Sequence, residues 1–523
     1  MKELDIAKMS LEQKIGQLIV VRSFKDEEDK NYILDMVKKG CVGGVQMWNA
    51  DEYQEFIADV KTNASYPILI CADMEWGYIG GKLKYPYAIG ISSLNDPDVA
   101  YNLGRATAIE AKKDGVNVCW GPVLDIANEG ALCKISRCFG DSVETVSKYA
   151  IEMIKGFQDE GMIVTAKHFP GGSDVTSDCH INTEASKMTE EELLKKDLIP
   201  YLNAIKEADL TGIMTGHVLF ENIDNKYIAS LSKKVIDIIR NQGFDGIIMT
   251  DSLAMMAIVQ NYGEKECLGL AINAGNDMVL PNYRLTFKES FEYLLEAYNN
   301  KVFSEERLND AVRHVLNAQH KTLKNASLKE VSSKLEKSVD DANKKCITAI
   351  VEDGYDIKLS DNSKKLFVLL SENKYEGITG SSRELVDRNL FSYEKVLEKK
   401  KEILKEFPNS EVIILNEFPH YLETEAVCKK IAEYDETVFF TFCLGSCYVA
   451  SDGITERVEN IINLNKEKIS AVIHIGNPYE VKKFKDIKRI INVPYGAKCD
   501  KYIYETLKGN FVPCGKFPVD LSL

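Results

Sequence analysis

The chain has 523 residues, of which 45% are hydrophobic and 28% charged, and its formal net charge is −15. This length predicts more than one domain, and the composition is typical of a globular protein rather than a disordered or fibrous one. The negative charge argues against nucleic acid as a partner, because phosphate binding requires a basic surface.

The distribution of apolar residues and cysteines indicates where in the cell the protein works. No apolar run approaches the roughly 20 residues that a membrane span requires, and the first residues carry charges where a signal peptide would be apolar. The 13 cysteines are scattered and mostly lie in apolar runs, as Cys41 and Cys119 do. Because this pattern suits buried, reduced thiols better than disulfides or a zinc site, we predict a cytoplasmic protein with no membrane partner.

Eight short apolar runs alternate with amphipathic helical patterns in the first part of the chain, which is typical of parallel βα units. Ser10 and Gln13 form a predicted capping box at the first helix, and Ser232 is the predicted cap of the helix before the seventh run. Eight such repeats in about 300 residues predict a (β/α)8 barrel of the TIM type. A doubly wound open sheet is the alternative, but no Gly-x-Gly-x-x-Gly motif follows an early strand. The predicted strands are 15–21, 41–48, 67–73, 116–125, 162–168, 210–218, 246–251 and 277–281.

A second α/β segment follows the barrel. Residues 329–345 are rich in Ser, Lys, Asp and Glu on a helical pattern, which predicts a linker or connecting helix. Five further apolar runs then alternate with helices, which predicts a smaller three-layer αβα sandwich. We therefore predict a catalytic barrel over 1–328, a connecting helix over 329–345 and an accessory sandwich domain over 346–523.

Polar residues follow most of the predicted barrel strands, where barrel enzymes build their active sites. A single Asp or Asn at such a place is as readily the cap of the next helix. Several together favour a shared site at the carboxyl-end mouth of the barrel. The residues concerned are Asn49, Asp73, Glu75, Asp125, the segment 167–180, His217 and Asp251.

The segment 167–180 is the densest of these clusters. Its sequence is Lys-His-Phe-Pro-Gly-Gly-Ser-Asp-Val-Thr-Ser-Asp-Cys-His, and it contains two of the seven histidines of the chain. If the loop curls, Asp178 can pair with His180, fix the tautomer of the imidazole and raise its basicity. Asp251, after the seventh strand, is a candidate nucleophile, metal ligand or helix cap. Retaining glycoside hydrolysis needs a nucleophile and a nearby proton donor, and His180 is a candidate donor for Asp251.

All three tryptophans, Trp48, Trp76 and Trp120, lie at or just past predicted strands two to four. An indole at the rim of the barrel can stack on a sugar ring, whereas an indole in the core packs between helix and sheet. The sequence leaves both possibilities open for each of the three.

An ordered set of motifs resembles glycoside hydrolase family 3, and within it the bacterial β-N-acetylglucosaminidase, or β-N-acetylhexosaminidase, branch. The resemblance covers nearly the whole chain, and its strength lies in the order of the motifs rather than in any one of them. The matching segments are 11–18, 42–45, 72–77, 121–125, 137–140, 167–171, 250–251, 274–280, 476–479 and 515–519.

The resemblance implies roles for particular residues. By it Asp251 is the nucleophile, His180 the acid/base and Asp178 the partner of His180. The sugar hydroxyl and acetamido groups are held by Asp73, Arg137, Lys167 and His168. It implies a retaining exo-β-N-acetylglucosaminidase that acts through a covalent glycosyl–Asp intermediate on a small carbohydrate or glycopeptide, with no cofactor and no metal. For Arg137 and Lys167, an internal salt bridge that shapes the pocket is an equally good interpretation.

The chain departs from the family pattern at three places. The loop usually reads Lys-His-Phe-Pro-Gly-His-Gly-Asp, but here residues 172–174 are Gly-Ser-Asp. The usual Asp-Gln-Glu-Gly-Gly becomes Asp-Met-Glu-Trp-Gly at 73–77, and Cys179 replaces a serine inside the dyad. None of these changes removes a reacting group, so we expect them to affect substrate preference, above all at 172–174.

Other functions remain compatible with the same residues. A glycoside phosphorylase is one, because an imidazole repels an incoming phosphate less than a carboxylate does. A β-glucosidase or other β-glycosidase of the family is another, and a non-catalytic sugar-binding homologue is a third. A metal-dependent hydrolase would need His168, His180 and Asp251 to form a ligand set with an open position. The oligomeric state is not predicted.

Overall fold

A computed structural model describes residues 4–48, 51–323, 327–372, 391–443 and 453–522, so that Asn49 lies outside the described residues. The chain divides into two compact units. The first contains Met1–Lys84, Asp96–Gly130 and Cys138–Val339, and the second contains Tyr85–Asn95, Ala131–Arg137 and Asp340–Leu523. Sequence reasoning did not foresee that two short early segments belong to the second unit. The domain bounds at 328 and 346 stay predictions.

The strands of the described residues form an eight-stranded, a six-stranded and a two-stranded sheet. In chain order they are β1 (Val20–Val21), β2 (Gly44–Gln46), β3 (Leu69–Asp73), β4 (Val118–Val123), β5 (Ile163–Phe169), β6 (Glu184–Ser186), β7 (Gly212–Thr215), β8 (Val218–Phe220), β9 (Ile247–Ser252), β10 (Met278–Leu280), β11 (Thr348–Val351), β12 (Lys365–Ser371), β13 (Ser410–Asn416), β14 (Glu436–Cys443), β15 (Ile469–Gly476) and β16 (Arg489–Val493).

Helices separate most of the strands. In chain order they are α1 (Leu11–Gln17), α2 (Glu27–Lys38), α3 (Asp51–Asn63), α4 (Ala88–Ser92), α5 (Pro97–Lys113), α6 (Leu132–Ile135), α7 (Val143–Asp159), α8 (Glu190–Lys195), α9 (Ile199–Ala208), α10 (Lys233–Asn241), α11 (Met256–Val259), α12 (Glu266–Ala274), α13 (Phe287–Asn299), α14 (Glu305–Lys321), α15 (Ser333–Lys345), α16 (Tyr393–Glu406), α17 (Tyr421–Ala432), α18 (Glu456–Leu464) and α19 (Asp500–Leu507).

The first unit is built on a barrel of eight parallel strands in the order β1-β2-β3-β4-β5-β7-β9-β10. A parallel bridge between Ile19 and Val279 joins the two ends of this sheet. The predicted (β/α)8 barrel is thereby confirmed. Because the strands are parallel, their carboxyl ends all open on one mouth, and the residues that follow them meet there.

Apolar side chains fill the interior of the barrel, so it is a packed core and not a pore. Trp120 is among them, with 2% of its surface exposed. Its indole N–H donates to the sulfur of Met249 at 3.2 Å. Trp120 is therefore a core residue, and of the two interpretations of this tryptophan the structure supports packing.

Two predicted barrel strands were wrong at their ends. Ser10 and Gln13 form the predicted capping box of α1, and this helix takes up the first half of the predicted strand 15–21. The predicted strand 210–218 divides into β7 and β8, and β8 pairs with β6 in a separate two-stranded sheet. Sequence reasoning missed β6 because its residues, Glu-Ala-Ser, carry no apolar alternation. Ser232 caps α10 as predicted, accepting the N–H of Val235.

A buried ionic cluster lies at the opposite, amino-end face of the barrel, around Asp277 just before β10. Asp277 is fully buried and binds Arg240 at 2.7 Å, the ring of His314 at 3.0 Å and the side chain of Arg307. Burial alone would raise its pKa, but the cationic partners outweigh burial and lower the pKa of Asp277. The charges at this face contribute to stability rather than to catalysis, since the active sites of such barrels lie at the other mouth.

We expect Asp277→Asn to lower the free energy of unfolding by about 3–5 kcal/mol, because it removes a fully buried carboxylate from two half-buried arginines. The measurement is urea unfolding followed by tryptophan fluorescence. Asp245→Asn is the matched control, since the side chain of Asp245 is 73% exposed and such surface pairs are worth at most about 1 kcal/mol. Equal destabilisation by the two variants would contradict the role of burial.

The second unit contains a six-stranded sheet in the order β11-β16-β15-β14-β12-β13, in which only β11 is antiparallel to its neighbour. Side chains alternate between two buried clusters, one on each face. Helices α17 and α18 contribute to one cluster, and α16 and α19 contribute to the other. This is the predicted three-layer αβα sandwich. β11 was not predicted, because it is short and follows α15 closely.

His474, on β15 of this sheet, is fully buried with its Nδ1 3.0 Å from the hydroxyl of Thr441. Burial lowers the pKa of His474 to about 3. In the unfolded chain an imidazole has a pKa of about 6.5, so below that pH the unfolded state binds a proton that the folded state does not. Stability must therefore fall as the pH decreases from about 6.5 towards the folded pKa. We expect His474→Asn to flatten this slope in urea unfolding followed by circular dichroism; an unchanged slope would contradict it.

Candidate functional site

Asp178 and His180 form a pair on the loop between β5 and β6. One carboxylate oxygen of Asp178 lies 2.7 Å from His180 Nδ1 and also accepts the main-chain N–H of His180 at 2.9 Å. The same oxygen thus fixes both the backbone and the ring. With Nδ1–H donating to the carboxylate, Nε2 is the nitrogen that can give or take a proton.

Asp251 occupies the carboxyl end of β9. Its Oδ1 accepts the N–H of Ser252 at 2.6 Å, and its Oδ2 lies 3.7 Å from Nε2 of His168. Burial raises the pKa of Asp251, but the positive potential of nearby groups outweighs burial and holds this pKa well below its usual range. These groups are His168, Lys167 and His180. Asp251 is consequently an ionised carboxylate throughout the neutral range, as a nucleophile requires.

Lys167 joins two carboxylates at the mouth of the barrel. Its ammonium lies 2.6 Å from Asp73 at the end of β3 and 2.7 Å from Glu75 just beyond. Lys167 and Glu75 are buried, whereas 52% of the Asp73 side chain is exposed. Asp73 therefore has surface left for a ligand, and Lys167 offsets part of the negative charge of the two carboxylates and shapes the pocket wall.

His168, the next residue, is held by Asp125, which follows β4. Its Nδ1 lies 2.7 Å from Asp125 Oδ2, and its main-chain N–H donates to Asp125 Oδ1 at 3.1 Å. Nδ1–H therefore donates to the carboxylate, and Nε2 is directed towards Asp251. Asp125 thus orients His168 in the manner in which Asp178 orients His180.

His217 supports the end of the Asp251 strand. Its Nε2–H donates to the carbonyl of Ser252 at 3.0 Å, while Nδ1 is 2.8 Å from the hydroxyl of Ser230. Because a carbonyl oxygen only accepts, Nε2 carries a proton. Burial lowers the pKa of His217, which keeps it neutral.

Main-chain hydrogen bonds join the dyad loop to the segment that follows Asp251. The carbonyls of Cys179 and His180 accept the N–H groups of Ala257 and Met256, at 3.2 and 3.4 Å. These two N–H groups open helix α11, where they have no partner within the helix. The candidate proton donor and the candidate nucleophile are therefore connected through the backbone.

Arg22, directly after β1, is a mouth residue that sequence reasoning missed. Its guanidinium donates to Gln46 at 2.7 Å and to the hydroxyl of Ser252, and its carbonyl accepts the indole N–H of Trp48 at 2.5 Å. The one signal for it in the sequence is a charged residue that ends an apolar run. Trp48 is 38% exposed and Trp76 is half-buried, so these two remain candidates for stacking on a sugar.

Arg137 is half-buried and belongs to the segment Ala131–Arg137 of the second unit, so its predicted contact with the sugar stays a prediction. A metal site formed by His168, His180 and Asp251 is not among the donor clusters found in the described part of the chain. The two clusters there are Asp178–Cys179–His180 and Asp277–Asp310–His314. In the first cluster, the hydrogen bond between Asp178 and His180 explains why the side chains lie close together. In the second, the ion pairs of Asp277 with arginine do so.

Comparisons with known proteins identify the family of the chain. The model of the glycosyl hydrolase family 3 N-terminal domain matches residues 10–318, which is more than half of the chain. The chain belongs to glycoside hydrolase family 3. A β-hexosaminidase of Nitrosomonas eutropha is 33% identical over 256 residues, which cover 46% of this chain and 73% of that protein. The chain is accordingly a glycoside hydrolase.

Solved structures of the family share the fold along almost the whole chain. A family 3 β-N-acetylglucosaminidase from Paenibacillus sp. superimposes with a TM-score of 0.82 at 23% identity, covering 98% of this chain and 99% of that one. The β-glucoside phosphorylase BglX gives a TM-score of 0.79 at 22% identity, covering 99% and 94%. Among the described helices, none is long and apolar enough to cross a membrane.

Proposed function

We propose that this family 3 enzyme is a retaining, exo-acting β-N-acetylglucosaminidase that removes terminal β-linked N-acetylhexosamine. The observation that carries the proposal is the Asp178–His180 pair, with 2.7 Å between carboxylate and Nδ1, tied by backbone hydrogen bonds to the segment after Asp251. The similarity to proteins named β-hexosaminidase and β-N-acetylglucosaminidase supports the choice of sugar.

In the first step the ionised carboxylate of Asp251 attacks the anomeric carbon, and the bond to the leaving oxygen breaks. His180 Nε2–H protonates that oxygen as it departs, which yields the free aglycone, a glycosyl–Asp251 ester and a neutral imidazole. In the second step Nε2 takes a proton from water, and the resulting hydroxide displaces the carboxylate from the anomeric carbon. The proton on His180 and the charge on Asp251 are thus restored at the end of the cycle.

Asp178 serves this cycle by keeping Nδ1 protonated and by stabilising the imidazolium whenever both ring nitrogens carry protons. The pair differs from the usual arrangement of two carboxylates on either side of the glycosidic bond. A carboxylate at this position would repel an anionic nucleophile that approaches the glycosyl enzyme. A neutral imidazole carries no negative charge and does not.

The sugar would lie against the end of β3 and β5. There Asp73 has an exposed carboxylate that can accept hydrogen bonds from sugar hydroxyls, and Lys167 and His168 complete the wall. Trp48, with its exposed indole at the rim, is the candidate for stacking on the apolar face of a pyranose.

A glycoside phosphorylase is the second candidate, because a solved structure of the same fold bears that name and a neutral imidazole tolerates an incoming phosphate. The test is the product of a β-N-acetylglucosaminide with and without inorganic phosphate. Free sugar at both conditions supports hydrolysis; sugar 1-phosphate as the main product in millimolar phosphate would replace it with phosphorolysis.

Sugar preference is tested with aryl β-glycosides of N-acetylglucosamine, N-acetylgalactosamine, glucose and xylose that share one leaving group. We expect the highest kcat/KM for N-acetylglucosamine. A higher value for glucose would make the enzyme a β-glucosidase. The anomeric configuration of the first product, followed by NMR, checks retention.

We further propose that the enzyme works in the cytoplasm. Eleven cysteines of the described residues are present as thiols and eight of them are buried. Burial raises the pKa of Cys41 to about 11, and this keeps its thiol protonated and unreactive. Cell fractionation with antibody detection tests the location.

A further inference from the structure

Asp197, in the turn between α8 and α9, is an almost fully buried carboxylate that contacts the acid/base loop. One of its oxygens accepts the main-chain N–H groups of Gly172 and Ser173, at 2.9 and 2.7 Å. Its other oxygen accepts the hydroxyl of Ser173 at 2.9 Å. Asp197 therefore receives three hydrogen bonds from two consecutive loop residues.

These hydrogen bonds are what make the burial of Asp197 tolerable. Only 1% of Asp197 is exposed, and burial raises its pKa, an effect that the hydrogen bonds from Gly172 and Ser173 offset only in part. A buried charge without partners costs several kcal/mol or more. The loop thus satisfies Asp197, and Asp197 in turn fixes the loop.

The loop has a backbone that permits this approach. Gly171 and Gly172 have φ angles of +105° and +130°, which other residues rarely adopt. A Cβ on Gly171 would lie 2.8 Å from Cβ of Asp197. The carboxylate can reach the backbone because no side chain stands between them.

Further contacts hold the next residues. Asn128 donates to the carbonyl of Ser173 at 2.8 Å, and Asp174 accepts the hydroxyl of Ser186 at 3.0 Å and the N–H of Lys187 at 3.2 Å. The loop is therefore fixed just before the stretch that leads to Asp178 and His180.

We propose that Asp197 is a positioning residue for the acid/base, and that it acts by holding Gly172 and Ser173 at the start of the segment that ends in Asp178 and His180. This rests on the proposed role of His180 as proton donor. It also assigns a task to the Gly-Ser-Asp sequence at 172–174, where the chain departs from the family pattern: Ser173 supplies a hydroxyl to Asp197 and anchors the loop.

The test exploits the fact that proton donation matters for a poor leaving group and little for an activated one. We measure kcat/KM of Asp197→Ala for an alkyl and a dinitrophenyl β-N-acetylglucosaminide. The alkyl substrate should lose on the order of 10- to 100-fold, as expected when a reacting group is misplaced by about 1 Å. The dinitrophenyl substrate should lose much less, so the kcat/KM for the alkyl substrate divided by that for the dinitrophenyl substrate should fall. This quotient is the substrate ratio. Asp197→Asn keeps one carbonyl oxygen for the two N–H groups and should restore most of the ratio.

Asp224→Ala is the matched control. Asp224 is also buried and accepts a serine hydroxyl, that of Ser232 at 2.7 Å, and the N–H groups of Lys226 and Tyr227 at 3.1 and 3.3 Å. It should lower the melting temperature while leaving the ratio of the two substrates unchanged. Equal losses on both substrates in Asp197→Ala would overturn the proposal and make Asp197 a residue of stability only.

If Asp197→Ala does not fold, Ser173→Ala provides the same information. It removes one of the three hydrogen bonds and should shift the ratio in the same direction by less. Where both single variants fold, Ser173→Ala should have no further effect on the ratio in the Asp197→Ala background, because the two groups act as one contact. A full additional effect would overturn the inference.

His180→Ala is measured alongside to separate this inference from the proposed function. If His180→Ala shifts the substrate ratio and Asp197→Ala does not, the positioning role alone is wrong. If His180→Ala leaves the ratio unchanged, His180 is not the proton donor. The positioning role of Asp197 is then wrong as well, because it rests on that assignment.

Discussion

Asp251→Ala should lower kcat by on the order of 10³-fold or more on every substrate, because it removes the carboxylate that we propose as the nucleophile attacking the anomeric carbon. The loss should not depend on the leaving group, since no covalent intermediate can form with either an alkyl or a dinitrophenyl glycoside. The measurement is initial rates with both substrates, together with circular dichroism to establish folding.

The position of the nucleophile can be tested directly by trapping. A fluorinated N-acetylglucosaminide with a good leaving group should leave a glycosyl ester on the peptide that contains Asp251, detected by mass spectrometry. Asp237→Ala, which removes a surface carboxylate paired with Lys233 on α10, is the control and should retain wild-type turnover. Turnover near the wild-type value in Asp251→Ala, or a label on another carboxylate, would rule out the mechanism.

His180→Ala should lower kcat/KM by about 10²- to 10⁴-fold for an alkyl glycoside, the range typical of lost general acid–base catalysis. A dinitrophenyl glycoside should be affected less in its first step. The fall of kcat/KM at high pH that marks deprotonation of the acid should disappear in this variant. Initial rates across the pH range for both substrates provide the measurement.

Two companion experiments sharpen this result. Azide needs no general base, so it should restore breakdown of the glycosyl enzyme in His180→Ala and release a glycosyl azide. Asp178→Ala should lose less activity than His180→Ala, because the ring keeps its Nε2 and loses only its orienting carboxylate. Wild-type turnover of the alkyl glycoside by His180→Ala would contradict its role.

The architecture was largely predictable from the sequence because both units alternate apolar strands with amphipathic helices. Errors arose where that contrast is weak. β6 is polar, β11 is short, and the first predicted barrel strand contains residues that the capping box of Ser10 and Gln13 places in α1. Nor does any pattern in the sequence indicate that Tyr85–Asn95 groups with the second unit, since that depends on contacts distant in sequence.

The candidate site was predictable in its local parts. Asp178 and His180 are two residues apart, so their pairing requires only a turn, and Asp251 was identified from the apolar strand that precedes it. The anchoring of the loop was not predictable, because Asp197 lies 24 residues beyond Ser173 and its neighbours read as an ordinary helix start. Arg22 was missed for the same reason, because its partners Gln46 and Ser252 lie at the ends of β2 and β9, far from it in sequence.

The hydrogen bonds from the first N–H groups of α11 to the carbonyls of Cys179 and His180 bear on how such enzymes can be recombined. A loop transplanted from a relative brings its own dyad, but it does not bring the helix start that receives it. We therefore expect an exchange of residues 171–183 between family members to keep the position of the dyad best when the segment 255–261 is exchanged with it. The candidate site is thus assembled from two segments of different βα repeats, and neither segment alone defines the position of the dyad.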